Sequence, residues 1–228
     1  MPKVAVVLCG CGRADGSEIH ESVSCLVHLS RLGAQYHCFA PDQPQTDVIN
    51  HLTGKPEPGQ SRNMLVEAAR IARGAVSPLS MFRAAQFDAV VFPGGFGVAK
   101  NLCSFAREGD KCSVIPDVER VLNEFHAAGK PIGLCCIAPV LAGRVFGTAR
   151  GGNGCKVTLG EESDAAAALA RMGATHVAKR VEEACVDDAN RLATSPAYMD
   201  DHATPYQVFV GIGHMIESVV AMAATRHA

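Results

Sequence analysis

The sequence predicts a doubly wound α/β fold: a mostly parallel sheet with helices on both faces. Three observations carry this reading. Short runs of strand length, residues 3–8 and 88–92 among them, are apolar at consecutive positions, as strands covered on both faces must be. Segments of helical period alternate with those runs along the chain. Glycine-rich turns follow several of the strands, where the chain has to cross tightly into a helix.

Taken in order, residues 3–8 form the first strand. The turn Cys9-Gly10-Cys11-Gly12 leads into a helix with Ile19, Val23, Leu26 and Val27 on its core-facing side. Asp15 is placed to cap that helix, Glu18 three residues later to close a capping box, and Gly33 to end it. Residues 35–40 give a second strand stopped by Pro41, completing a right-handed βαβ unit. Residues 41–59, rich in Pro, Gly, Gln and Asp, form a long excursion of the kind often used in function. A helix over 61–73 buries Leu65, Ala68, Ala69 and Ala72. The strand at 87–92 runs into Pro93-Gly94-Gly95-Phe96-Gly97. Ile115, Val118, Val121, Leu122 and Phe125 mark the next helix, closed by Gly129. A short strand over 131–134 then reaches Cys135 and Cys136, and a helix follows with Pro139 in its first turn. Beyond it come a strand at 155–159, an alanine-rich helix at 163–172, and two strands at 181–186 and 191–195. Phe209, Ile212, Ile216, Val219, Val220 and Ala223 mark a final amphipathic helix. With no repeat and no low-complexity linker, residues 1–228 are expected to form one domain.

Composition narrows the function classes. The chain has 48% hydrophobic and 19% charged residues and a formal net charge of -2. Without a basic block it is not expected to bind nucleic acid. No apolar stretch approaches the ~20 residues of a membrane span, so no membrane role is expected. Met1-Pro2-Lys3 leads straight into a strand and lacks the shape of a secretory signal. The ten cysteines are therefore read as reduced thiols in a cytoplasmic compartment, or in the mitochondrial matrix if a transit peptide is missing from this sequence.

Ligands of doubly wound sheets bind outside the carboxyl ends of the strands. Three turns lie there: residues 9–17, 93–97 and 136–139. The strand–turn–helix at Cys136 has the form of a nucleophile elbow with Cys in place of Ser. A thiol at a helix N-terminus is expected to lose part of its pKa and become a thiolate. The residues alone leave a second reading open, in which Cys135 and Cys136 are both core thiols. In the elbow reading, the backbone N–H groups of Gly95 and Ile137 serve a developing oxyanion, and Gly94 lets the backbone approach. Glu18 is accounted for as a capping residue. Glu21, one turn further in, is the candidate acid to pair with Cys136. Gly10, Gly12 and Gly16 depart from the spacing of a dinucleotide fingerprint, and the cysteines lack zinc-site spacing, so neither a cofactor nor a metal is expected.

Taken together, Cys9-Gly10-Cys11-Gly12, Asp15-Gly16-Ser17-Glu18-Ile19-His20-Glu21, Phe39-Ala40-Pro41-Asp42, Asp47-Val48-Ile49-Asn50-His51, Arg62-Asn63, Pro93-Gly94-Gly95-Phe96-Gly97, Lys100-Asn101-Leu102 and Lys130-Pro131 with Cys136-Ile137-Ala138-Pro139 resemble the ElbB family. Those are the "enhancing lycopene biosynthesis" proteins and their mitochondrial relatives. They sit in the class I glutamine amidotransferase-like superfamily beside the PfpI proteases and the Parkinsonism-associated deglycases. The resemblance covers nearly the whole chain. It implies a flavodoxin-like sandwich, a homodimer or higher homo-oligomer, a reactive Cys136 met by Glu21, and a pocket that includes Gly94, Asn101 and Glu18.

The chemistry linked with such proteins is glutathione-independent glyoxalase or deglycase activity on a small aldehyde, without a cofactor. One departure bears on this. The hydrolytic relatives carry a His shortly after the elbow, whereas here none of the nine histidines falls between His126 and His176. A Cys–Glu pair suits addition to glyoxal or methylglyoxal better than glutamine hydrolysis. The competing expectation is a non-enzymatic redox sensor using the same cysteine.

Overall fold

The computed structural model describes residues 1–225 of the chain. Its strands and helices, in chain order, are β1 (Lys3–Val7), α1 (Ile19–Arg31), β2 (Gln35–Ala40), β3 (Ile49–Asn50), β4 (Lys55–Pro56), α2 (Met64–Ile71), β5 (Val76–Pro78), β6 (Ala89–Phe92), α3 (Phe105–Glu108), α4 (Pro116–Ala127), β7 (Ile132–Cys135), α5 (Pro139–Phe146), β8 (Lys156–Val157), α6 (Asp164–Arg171), β9 (Thr175–His176), β10 (Cys185–Asp187), β11 (Leu192–Ser195) and α7 (Pro205–Ala224). The main sheet has seven strands in the order β10-β11-β7-β6-β1-β2-β5. Every pair in it is parallel except β10 with β11. The chain leaves β1 toward β2 and returns on the other side to β6, so the topological switch point lies between β1 and β6. This is the flavodoxin-like, doubly wound arrangement.

The continuous apolar runs serve both faces at once. Ala5, Val7, Val90, Phe92, Ile132 and Leu134 face α4 and α5, where Val118, Leu122, Phe125 and Leu141 close one core. Val4, Val6, Val91 and Cys135 face the opposite way, onto Cys25 and Leu29 of α1 and Ile212, Met215 and Val219 of α7.

Several expectations need correcting. In α1 the stripe of Ile19, Val23 and Val27 is turned outward, 44%, 42% and 45% exposed. The buried side is Glu21, Ser22, Ser24, Cys25, His28 and Leu29. Small side chains let α1 lie close against α7, and the polar ones find partners: the Ser22 hydroxyl donates to Glu18 O at 2.6 Å, and His28 Nε2 lies 2.9 Å from Phe209 O. Glu18, not Asp15, is the N-cap of α1; its carboxylate accepts the Glu21 N–H at 2.8 Å. Asp15 is buried and accepts the Ile49 N–H at 2.8 Å, which ties the first turn to the excursion at 41–59. That excursion contains the β3–β4 hairpin and braces the first turn. The edge strand β5 went unpredicted, being three residues ending in proline. The strand predicted near 155 lies outside the main sheet, where β8 pairs with β9.

The apolar content of α7 also exceeds the expectation. It has the length and composition of a membrane span, 20 residues with a mean hydropathy of 1.4. Here it lies on the sheet, with Val208, Ile212, Met215, Ile216 and Val219 turned inward. Its start is fixed by a capping box, Thr204 with Gln207, and by Pro205 in the first turn. Thr204→Ala is expected to destabilise the protein by about 1 kcal/mol, read from the denaturant midpoint at unchanged slope.

Candidate active site

The carboxyl ends of β1, β6, β7 and β11, adjacent in the sheet, converge on Cys136. Strand β7 ends at Cys135, and α5 begins at Pro139. Cys136 makes the turn between them with φ 55°, a left-handed conformation that costs a non-glycine residue roughly 1–2 kcal/mol. The turn is held from both sides: the Cys136 N–H donates to Ser195 O at 2.9 Å, and the Ala138 N–H to Cys135 O at 3.0 Å. A backbone so bent carries the thiol off the sheet and aims the following N–H groups at it.

The turn after β6 supplies the other wall. Gly95 has φ 101°, and a side chain there would press on the backbone of Gly16 and Glu18. The strand-to-turn segment is sewn to the first turn, with the Glu18 N–H donating to Gly94 O at 3.0 Å and the Phe96 N–H to Arg13 O at 2.8 Å. Gly95 and Ile137 flank Cys136 in the cavity wall, and their N–H groups pull its thiol pKa downward.

Glu21 lies fully buried beneath the thiol. Its carboxylate accepts the Gly94 N–H at 3.0 Å and the Tyr198 N–H at 3.2 Å, and it packs with Cys136 against Gly94. Burial first, then the Glu18 carboxylate, pushes the Glu21 pKa up to about 8. The expected thiolate is corrected by the same geometry. Burial and the Glu21 charge push the Cys136 thiol well up, against the downward pull of the Gly95 and Ile137 N–H groups. Two ionisable groups in contact in a dry site do not both ionise; at neutral pH both are mostly protonated, and the pair gives up its first proton only as pH nears 8.

Above Cys136 opens a cavity of about 170 Å³ lined by Glu18, Gly95, Phe96, Cys136, Ile137 and Tyr198, with Arg13, Met199 and Asp201 at its sides. Glu18 is thus both cap and wall. Gly94 lies behind the wall as backbone support. Asn101 is not in the cavity: its amide donates to Asp15 O at 2.9 Å, and its carbonyl accepts the Thr46 N–H at 2.9 Å, so it rivets two loops together. Among the described residues no histidine lines the cavity. Sequence reasoning missed Tyr198 and its neighbours, which come from a fourth turn at a strand end, after β11. That turn was recognisable by position, following a strand with Pro196, but nothing local linked it to Cys136. Among the described residues no group of three or more His, Cys, Asp or Glu is arranged to hold a metal. The ten cysteines are all unbridged.

No family model matches the chain. Known proteins do resemble it closely. It is 51% identical to the human "Glutamine amidotransferase-like class 1 domain-containing protein 3, mitochondrial", over 96% of this chain and 83% of that protein. It is 40% identical to the "ES1 protein, mitochondrial" of Danio rerio, over 97% and 86%. Among solved structures it superposes on an isoprenoid biosynthesis protein with amidotransferase-like domain from Ehrlichia chaffeensis with a TM-score of 0.90 and 38% identity, covering 97% and 99% of the two chains. Likeness of this extent makes the chain a member of the ES1/ElbB family of class I glutamine amidotransferase-like proteins.

Proposed function

We propose that the protein is a glutathione-independent glyoxalase acting on glyoxal and methylglyoxal through Cys136. The single observation that carries this reading is a small cavity lined by Cys136, Gly95 and Ile137, with Glu21 buried behind it against Gly94 and no histidine among the described residues that line it. A volume of about 170 Å³ suits a two- or three-carbon aldehyde and a water.

The steps balance without a cofactor. Sulfur attacks one aldehyde carbon while Glu21, in the fraction ionised as pH nears 8, takes the thiol proton. The C=O pair moves onto oxygen, which the Gly95 and Ile137 N–H groups hold, and Glu21 returns the proton to give a hemithioacetal. Glu21 then removes the proton on that carbon and delivers it to the neighbouring carbon, which converts the adduct into a hydroxyacyl thioester. Water releases the 2-hydroxy acid and the thiol. Glyoxal plus water thus gives glycolic acid. Nothing in this sequence requires an amine leaving group to be protonated, the task for which hydrolytic relatives use histidine.

The ten unbridged thiols suit a reducing compartment, whether cytoplasmic or the mitochondrial one named for the relatives. The test is to incubate the purified protein with glyoxal and follow glycolate by NMR. Glycolate that accumulates with wild type and disappears in Cys136→Ala supports the reading. Glycolate from neither protein overturns it, as does equal glycolate from both.

A further inference from the structure

We propose that Tyr198, held by His20, is a second acid–base group of this site, protonating and deprotonating the oxygens of the bound adduct while Glu21 moves the carbon proton. The inference rests on the glyoxalase reading and extends it to a residue with no counterpart in a Cys–Glu pair.

Three observations place Tyr198. Its side chain lines the cavity above Cys136. Its hydroxyl lies 2.8 Å from His20 Nδ1, and the two rings stand with centroids 5.9 Å apart. Its position is fixed by strain: the preceding Ala197 is buried with φ 48°, the second left-handed non-glycine residue beside this cavity. The Tyr198 backbone N–H holds Glu21, so the two acid–base groups are registered to each other by one residue.

The chemistry requires such a group. As Glu21 removes the carbon proton of the hemithioacetal, the electron pair forms a C=C bond and the neighbouring carbonyl pair moves onto its oxygen. In a cis adduct that second, far oxygen stands beside the first, so one phenol can serve both. Burial first, and then the charges of Glu18 and Glu21, raise the Tyr198 phenol, so it stays protonated and able to donate. Donation to the far oxygen completes an enediol. When the neighbouring carbon then takes its proton from Glu21, the first hydroxyl gives its proton to the Tyr198 phenolate, and both groups are restored. Between these steps His20, in the tautomer with its proton on Nδ1, stabilises the phenolate. The other charged groups facing the phenol are Arg13 and Asp201 across the cavity, an exposed pair 3.9 Å apart.

Tyr198→Phe tests this cleanly, since it keeps the ring and the backbone N–H to Glu21. We expect glyoxal kcat to fall by about 10²-fold, with KM and the rate of Cys136 alkylation by iodoacetamide within about 3-fold of wild type. The hemithioacetal should then accumulate on Cys136, visible by intact mass after borohydride trapping. His20→Ala, acting through Tyr198, should give a smaller fall in kcat and no further fall when combined with Tyr198→Phe. Wild-type turnover with an unchanged Tyr198→Phe overturns this inference and leaves the glyoxalase reading intact. Equal losses in alkylation and turnover also overturn it, by showing a structural role. Absence of glycolate from wild type overturns both together.

Discussion

Glu21→Gln is expected to slow aldehyde turnover by at least ~10²-fold and to flatten the pH dependence of stability. The first effect follows because an amide cannot take the Cys136 proton or the carbon proton. The second follows from linkage. Burial and Glu18 raise Glu21 from its ordinary 4.5 to about 8 in the folded protein. Between those values the folded state binds a proton that the unfolded state has released. Stability therefore falls as pH rises through that window, and is fully retained only below the unfolded value. The total is on the order of a few kcal/mol. Glutamine does not titrate, so its curve lacks this slope. Its amide also accepts only one of the Gly94 and Tyr198 N–H bonds that the two carboxylate oxygens share, so it starts below wild type at low pH. Thermal unfolding of both proteins at a series of pH values, with the same buffer ions, measures the difference in slope. Parallel curves would show that Glu21 is not held protonated by the fold.

Gly94→Ala is expected to be the more damaging change, with turnover lost and stability reduced by more than about 4 kcal/mol. Its methyl would press directly on Cys136 Cβ, and would stand 2.6 Å from Glu21 Oε2 and 2.9 Å from Cys135 O. None of these can give way. Cys136 is pinned at a strained turn, Cys135 is in the sheet, and Glu21 is held by two N–H groups. Gly94 has no left-handed φ, so the objection is space alone. Chemical denaturation with glyoxal turnover on the same preparation decides the matter. A Gly94→Ala protein that keeps its stability and turns over within ~10-fold of wild type would mean that the turn after β6 does not meet the elbow as described.

Much of this architecture is legible in the sequence because it is written locally. Strand β2 coincides with the predicted 35–40, and the elbow announces itself through an apolar run, two cysteines and a proline that only a first helical turn accepts. Reading failed where the partner is distant. Asp15 looks like a cap until Ile49 arrives, and Tyr198 gains meaning only from Glu21 and His20, 177 and 178 positions away. The inward face of α1 was misread for a chemical reason. It is made of Glu, Ser, Cys and His, residues that a hydropathy pattern assigns to solvent, while the apolar stripe lies outside. The thiol's acidity was misjudged because a helix N-terminus is local and visible, whereas desolvation depends on the whole fold, and here desolvation wins.

The two margins of the sheet have a consequence for the protein at high concentration. An exposed, flat strand edge is a template on which another chain can build cross-β structure. Here one margin is β5, three residues long and closed by Pro78, which has no N–H to offer a newcomer. The other is β10, also three residues, running against its neighbours and flanked by β8, with the Lys156 N–H donating to Asp187 at 2.7 Å. Neither margin presents a run of unpaired amides long enough to nucleate a fibril. The folded chain is thereby protected against amyloid growth from its own sheet, and that hazard is confined to the unfolded state.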